Sequence, residues 1–227
     1  MKFLRNFAII AVIVALFVLV IMNSSTKRNP ADQVWREATT VGNLEAENYY
    51  VMYTDIMCPY CDVFSRAVME HWDEFQAYLA EYDILFEVRV TDILYASGST
   101  YSRAAGEAAY CAMYENKFWD FYHGALTALW NDYHSKGIGS SKTAPHITDL
   151  PEDYWLKIGR KAGLGEQFEQ CVTNHESTDE LNTNTIRAAQ VVEGLPYFRF
   201  NDFQTAGFGD GWGWDYAKLL LDAGLQK

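Results

Sequence analysis

A cysteine pair at the junction between a run of strand formers and a run of helix formers narrows the folds open to this chain. Tyr49-Tyr50-Val51-Met52-Tyr53 carries β-favouring side chains and predicts a buried strand. Cys58-Pro59-Tyr60-Cys61 follows, and from Pro59 onward Val63, Phe64, Val68, Trp72, Phe75 and Leu79 recur at helical spacing. A proline just inside a helix sits where its missing N–H costs nothing. Cys58 is thereby assigned to the helix N-terminus, where unpaired amides and the helix dipole favour a thiolate over a thiol. Cys61, one turn further, is close enough to close a small disulfide with it. A tetrahedral zinc site competes with this redox dithiol, but it wants four ligands, usually as two closely spaced pairs. The other cysteines, Cys111 and Cys171, stand alone and far apart. A purely structural bridge is the third possibility, yet so short a loop constrains an unfolded chain little.

The order of elements extends the argument. Ile84 to Val90 predicts a second strand, and strand, helix and parallel strand make one right-handed crossover unit. From Ser102 to about Ala189 the pattern is helical, over Ala104 to Glu115, Phe118 to Trp130, Glu152 to Ala162, Glu166 to Thr173 and Thr178 to Val191. A connection rich in Gly, Ser and Thr lies between the second and third of these, Ser135 to Leu150. Strand character returns at Tyr197 to Asn201, with a second short strand near Gln204 to Gly207. A helix from Trp214 to Ala223, capped by Gly224, closes the chain. The glycine run Gly207 to Trp214 lacks the Lys and spacing of a phosphate loop, and reads as a turn that packs Trp212 and Trp214 on the sheet.

From about Tyr49 to Leu225 the chain resembles the DsbA family of thiol:disulfide oxidoreductases, in the thioredoxin-like superfamily. The residues that carry the likeness are Cys58-Pro59-Tyr60-Cys61 after the first strand and the turn Gly194-Leu195-Pro196-Tyr197-Phe198. Two phrases from the helical region add to it, Ala112 to Trp119 and Phe168 to Val172. The resemblance implies an α/β thioredoxin fold with an inserted helical domain. The thioredoxin part would take residues 45–97 and 190–227, and the insertion residues 98–189. It further implies a cis bond before Pro196, facing the dithiol, with the Leu195 backbone free to pair with an extended peptide. Cys58 and Cys61 would be the catalytic pair, supported by Pro59, Tyr60, Leu195 and Pro196, with no cofactor and no metal. Tyr60 stands where a His would donate charge to the thiolate, and Leu195 where Thr or Val is common in the family.

The function so implied is donation of disulfides to exported proteins with free thiols. A quinone-linked membrane partner of the DsbB or vitamin K epoxide reductase type would reoxidise the enzyme. A membrane-anchored reductase or isomerase, a glutaredoxin-like reductase and a quiet peptide-binding member are the alternatives. Without the dimerisation segment that exported isomerases use, a monomeric oxidase is expected.

The start of the chain bears on location. Lys2 and Arg5 precede an unbroken apolar run from Phe7 to Met22, which predicts an uncleaved signal anchor over residues 1–25. A polar tether over residues 26–44 follows, with Trp35 lying against the domain. Lys27 and Arg28 nearly balance the positive-inside signal. Disulfide chemistry places the catalytic domain on the extracytoplasmic side, as a single-pass membrane protein or, after signal cleavage, a secreted or periplasmic one. Four of 18 basic residues lie at or before Arg28, which leaves 14 against 30 acids beyond it. Such a surface argues against nucleic acid as a partner.

Other side chains read as structure. Cys111 and Cys171 fall on two predicted helices of the insertion; export favours a structural disulfide between them over two separate buried thiols. Asp55 reads as a solvated loop acid, Glu70 and Asp73 as outer-face residues, and Phe118, Trp119, Phe121 and Trp130 as core of the insertion.

Overall fold

The computed structural model describes residues 37–141, 143–151, 153–201, 203–206 and 213–225. The anchor, most of the tether with Trp35, and the run from Gly207 to Trp212 lie outside them. No helix among the described residues is long and apolar enough to cross a membrane.

Five strands form one sheet: β1 (Thr40–Gly42), β2 (Asn48–Thr54), β3 (Ile84–Val90), β4 (Tyr197–Phe200) and β5 (Phe203–Ala206), in the order β1-β3-β2-β4-β5. β2 runs parallel to β3 and antiparallel to β4. β2 and β3 are covered on both faces, which is why each reads as a continuous apolar run instead of an alternating one. Tyr50 and Met52 point into the main core, while Val51 and Tyr53 join a smaller cluster with Ala188 and Tyr197 on the opposite face. The edge strand β1 lies inside the stretch read as tether, so the sheet begins before residue 45. At its end Gly42 has φ +108°, and a Cβ there would meet the Ile84 carbonyl oxygen at 2.2 Å; glycine alone fits.

The predicted first helix is two, α1 (Pro59–Glu70) and α2 (Trp72–Glu81), broken at His71. There the backbone leaves the helical region at φ −121°, ψ 34°, and the imidazole stacks on Trp214 with ring centroids 5.9 Å apart. The apolar period runs unbroken through this point, so the sequence pattern does not register the kink. Five helices follow: α3 (Ser102–Tyr114), α4 (Phe118–Asp132), α5 (Tyr154–Lys161), α6 (Glu166–Thr173) and α7 (Thr178–Ala189). A disulfide joins Cys111 on α3 to Cys171 on α6, with S–S 2.04 Å and Cα–Cα 5.8 Å. α8 (Trp214–Leu225) closes the chain, tied to β2 by the Tyr50 hydroxyl, which donates to the Leu221 carbonyl at 2.9 Å.

Gly224 does not cap α8. It lies within the helix, where a Cβ would approach Phe200 Cβ to 2.6 Å. Close helix–sheet packing, not a left-handed turn, accounts for this glycine. Gly224→Ala is accordingly expected to cost about 1–3 kcal/mol in chemical denaturation, because the sheet-side ring must move to admit one methyl.

Candidate active site

The site is assembled where β2 gives way to α1. The carbonyl of Thr54, the last residue of β2, accepts from the N–H and the hydroxyl of Thr91, at 2.8 and 3.0 Å, which fixes the strand end against β3. Asp55 follows, fully buried. Its Oδ1 accepts from the Met57 N–H at 3.0 Å, and its Oδ2 from the Leu94 N–H at 3.0 Å and from the Ser102 hydroxyl. The Asp55 carbonyl accepts from the Cys58 N–H at 2.9 Å. This turn delivers Cys58 to the cap position of α1, at φ −82°, ψ 115°, with Pro59 in the first turn. Cys58 Sγ accepts from the Cys61 N–H at 3.3 Å, which occupies one of the orphan donors of the helix start. Both sulfurs are unbonded; Cys58 is 3% exposed and Cys61 0%, flanked by half-buried Pro59 and Tyr60.

The electrostatics differ from the thiolate expected at a helix terminus. Burial pushes the Cys58 thiol well above its ordinary value, with Cys61 and the Asp55 carboxylate adding to the rise, while the hydrogen bond from the Cys61 N–H works the other way. A sulfur closed off from water forfeits the hydration that an ion needs, and here that outweighs the helix terminus.

Asp55 is itself raised to about 6, first by burial, against the lowering effect of its Ser102, Leu94 and Met57 hydrogen bonds. A carboxyl group with a folded-state value above its unfolded one stabilises the fold at low pH and loses that contribution as pH rises through the folded value. The wild type is therefore expected to lose about 3 kcal/mol relative to Asp55→Asn between about pH 4 and pH 7. Denaturation of both proteins across that range checks it; parallel profiles would mean that Asp55 is not perturbed.

The Leu195–Pro196 peptide bond is cis. Tyr197 pairs with Tyr53 in the antiparallel register of β4 on β2, so Pro196 arrives beside the end of β2 from which the dithiol departs. Leu195 is half-buried and packs on the cluster of Val51, Tyr53, Ala188 and Tyr197. Register and chain order thus bring Cys58, Pro59, Tyr60, Cys61, Leu195 and Pro196 to one end of the sheet. Cys111 and Cys171 are elsewhere, within the helical insertion.

Several polar residues at the site escape the sequence reading. Asp55 is a buried anchor and not a solvated acid; its spacing two residues before Met57, where a side-chain oxygen closes a local turn, was the available signal. Behind Cys61, the fully buried Tyr122 hydroxyl lies 2.9 Å from Ser65 Oγ and 3.5 Å from Thr54 Oγ1. Asp62, next to Cys61, meets His134 Nδ1 at 2.7 Å, both side chains buried. No local pattern announces a partner 72 residues away.

A family model described as Thioredoxin matches residues 36–206. No curated protein matches the sequence at a significant level. Among solved structures, BdbD from Bacillus subtilis aligns at a TM-score of 0.61 and 16% identity, over 84% of this chain and 95% of BdbD. A thioredoxin-like oxidoreductase from Silicibacter pomeroyi DSS-3 aligns at 0.57 and 21%, over 88% and 99%. The thiol–disulfide exchange protein α-DsbA2 from Wolbachia pipientis aligns at 0.57 and 17%, over 87% and 99%. At these identities the likeness is one of fold.

Proposed function

The chain belongs to the thioredoxin family, and from that we propose that it is a DsbA-type thiol–disulfide oxidoreductase working through Cys58 and Cys61. The observation that carries this reading is the pair of unbonded sulfurs within one helical turn, with Cys58 at the mouth of α1 and Cys61 beneath it. In the oxidised protein a substrate thiolate attacks Cys58 Sγ. The Cys58–Cys61 bond breaks, and Cys61 leaves as a thiolate and takes up a proton. A second substrate thiolate then attacks the substrate sulfur of the mixed disulfide and releases Cys58. Two electrons pass from the substrate dithiol to the protein.

The apolar run Phe7 to Met22 supports a membrane-anchored protein, and disulfide chemistry favours its domain on the extracytoplasmic side, with exported proteins as substrates. An anchored oxidase also calls for a membrane partner that accepts its electrons. The raised Cys58 thiol favours the competing reductase or isomerase reading, because an unstabilised thiolate makes a disulfide a weaker oxidant.

The potential of the full chain against glutathione separates the two. A value of roughly −120 to −180 mV supports disulfide donation, whereas about −250 mV or below would replace it with reduction. No titratable couple at all would return the motif to a structural role.

A further inference from the structure

β2 and β3 run parallel with Thr54 opposite Val90, so the residues that follow them leave the sheet at the same end. From β2 these are Asp55 and, beyond it, Cys58; from β3 they are Thr91 and Asp92. Two sets of contacts tie this second exit to the dithiol. Ile93 packs on the same cluster as Leu195, the residue before the cis proline. The Leu94 N–H and the Ser102 hydroxyl both donate to Asp55 Oδ2. Arg103, next to Ser102, donates from Nε to Asp92 Oδ2 at 2.8 Å, and its guanidinium carbon lies 4.7 Å from the centroid of the Tyr95 ring. The Asp92 side chain is 2% exposed and that of Arg103 is 42%. A buried carboxylate thus holds the guanidinium at Nε and a ring covers one of its faces. Its two Nη groups donate to none of the described residues. Glu107, one turn along α3, is already engaged by His175 and Thr178. A fork fixed in this way keeps its outer N–H groups aligned for two parallel bonds to a carboxylate, and little side-chain freedom is left to lose on binding.

We propose that Arg103 is a specificity-determining residue that binds a carboxylate of the substrate polypeptide, an Asp or Glu side chain a few residues from the reacting cysteine. The proposal rests on the thiol–disulfide exchange reading and narrows its substrate class. Neighbouring strands lie about 4.8 Å apart and an extended chain advances about 3.3 Å per residue, so a peptide joined to Cys58 crosses the end of β3 within roughly two to four residues. Beyond Arg28 the chain carries 14 basic residues against 30 acids, a balance whose field repels an acidic substrate. A preference for one therefore needs a local, directional contact, and Arg103 supplies it. The expected gain is about fivefold in rate, the size of a well-formed ion pair at a partly exposed position.

The test uses end-capped peptides with a single cysteine and a Glu placed roughly two to four residues to either side, each matched by a Gln version. The oxidised full chain is mixed with excess peptide and its reduction is followed by tryptophan fluorescence. Two peptide thiols give up two electrons to the Cys58–Cys61 bond and leave joined by a disulfide. Each rate is divided by the rate of the same peptide with hydroxyethyl disulfide, an uncharged reference that removes differences in thiol reactivity. The wild type is expected to favour Glu over Gln about fivefold at one or two placements. Arg103→Gln should lose that preference, while Arg160→Gln, which removes the same charge from α5, should keep it. A wild type without the preference at any placement would overturn the proposal, a result that needs no variant to fold. So would a preference that survives in Arg103→Gln, or one that falls equally in Arg160→Gln and so reports the field of the whole domain. Failure of every peptide to reduce the oxidised chain would overturn the exchange reading and this proposal with it. Reduction at equal corrected rates would overturn the role of Arg103 alone.

Discussion

Cys58→Ser is expected to abolish thiol–disulfide exchange, and Cys61→Ser to halt it midway with substrate covalently attached. The two residues differ in position, and so must their variants. Cys58 caps α1 and has the exposed share of the pair, 3% against 0% for Cys61, so an incoming sulfur meets Cys58. Serine is a favoured cap residue, so Cys58→Ser keeps the local fold while replacing the attacking sulfur by a hydroxyl that does not ionise near neutral pH. The expected loss is at least about a thousandfold, because the remaining sulfur, Cys61, is 0% exposed and closed off from an incoming substrate. Cys61→Ser leaves Cys58 reactive but removes the buried sulfur that resolves a trapped disulfide. Mass spectrometry of the variants after exposure to a disulfide-containing peptide distinguishes them, the Cys58 thiolate attacking the peptide disulfide and releasing one of its sulfurs as a thiolate: no adduct on Cys58→Ser, a persistent one on Cys61→Ser. Exchange at the wild-type rate by either variant would sink the assignment of roles.

How far such a site is legible beforehand depends on whether its signals are local. β2 and β3 are burial-driven runs covered on both faces, so their bounds stand in the sequence nearly as they stand in the sheet, Ile84–Val90 for β3 being identical. The cap at Cys58 is legible for the same reason, since Pro59 and the helical spacing after it lie within a few residues. β1 has three residues, Thr40–Gly42, and exists only through its pairing with β3, some 45 positions away. Gly224 misleads because a glycine near a helix end serves equally as a cap or as a point of close approach, and only Phe200 opposite decides which. Asp55 shows in the sequence only through its local turn with Met57, and Asp62 not at all, because what distinguishes both is burial and donors that come from Leu94, Ser102 and His134. Chemistry carried by side chains within one turn of each other can be read from order alone, whereas the groups that tune it arrive from across the fold.

Removing the second cysteine pair should have its effect on stability. Cys111→Ala/Cys171→Ala is expected to lower the unfolding free energy by about 4 kcal/mol, since the bridge spans 60 residues and the entropy a cross-link withholds from the unfolded chain grows with the loop it closes. For a domain of this size that corresponds to a fall in melting temperature of roughly 10 °C. Both sulfurs are buried, at 1% and 3% exposure, so the alanines also leave unfilled space between α3 and α6, which adds to the loss. Exchange by Cys58 and Cys61 should survive wherever the variant stays folded, because the bridge lies within the insertion and the dithiol at the β2–α1 junction. Urea denaturation of both proteins, followed by tryptophan fluorescence, measures the first part, and the glutathione couple of the folded variant measures the second. A loss below about 1 kcal/mol would show that the unfolded chain is already confined without the bridge. A folded variant with no couple would instead make Cys111 and Cys171 part of the electron path, and the insertion part of the enzyme's chemistry.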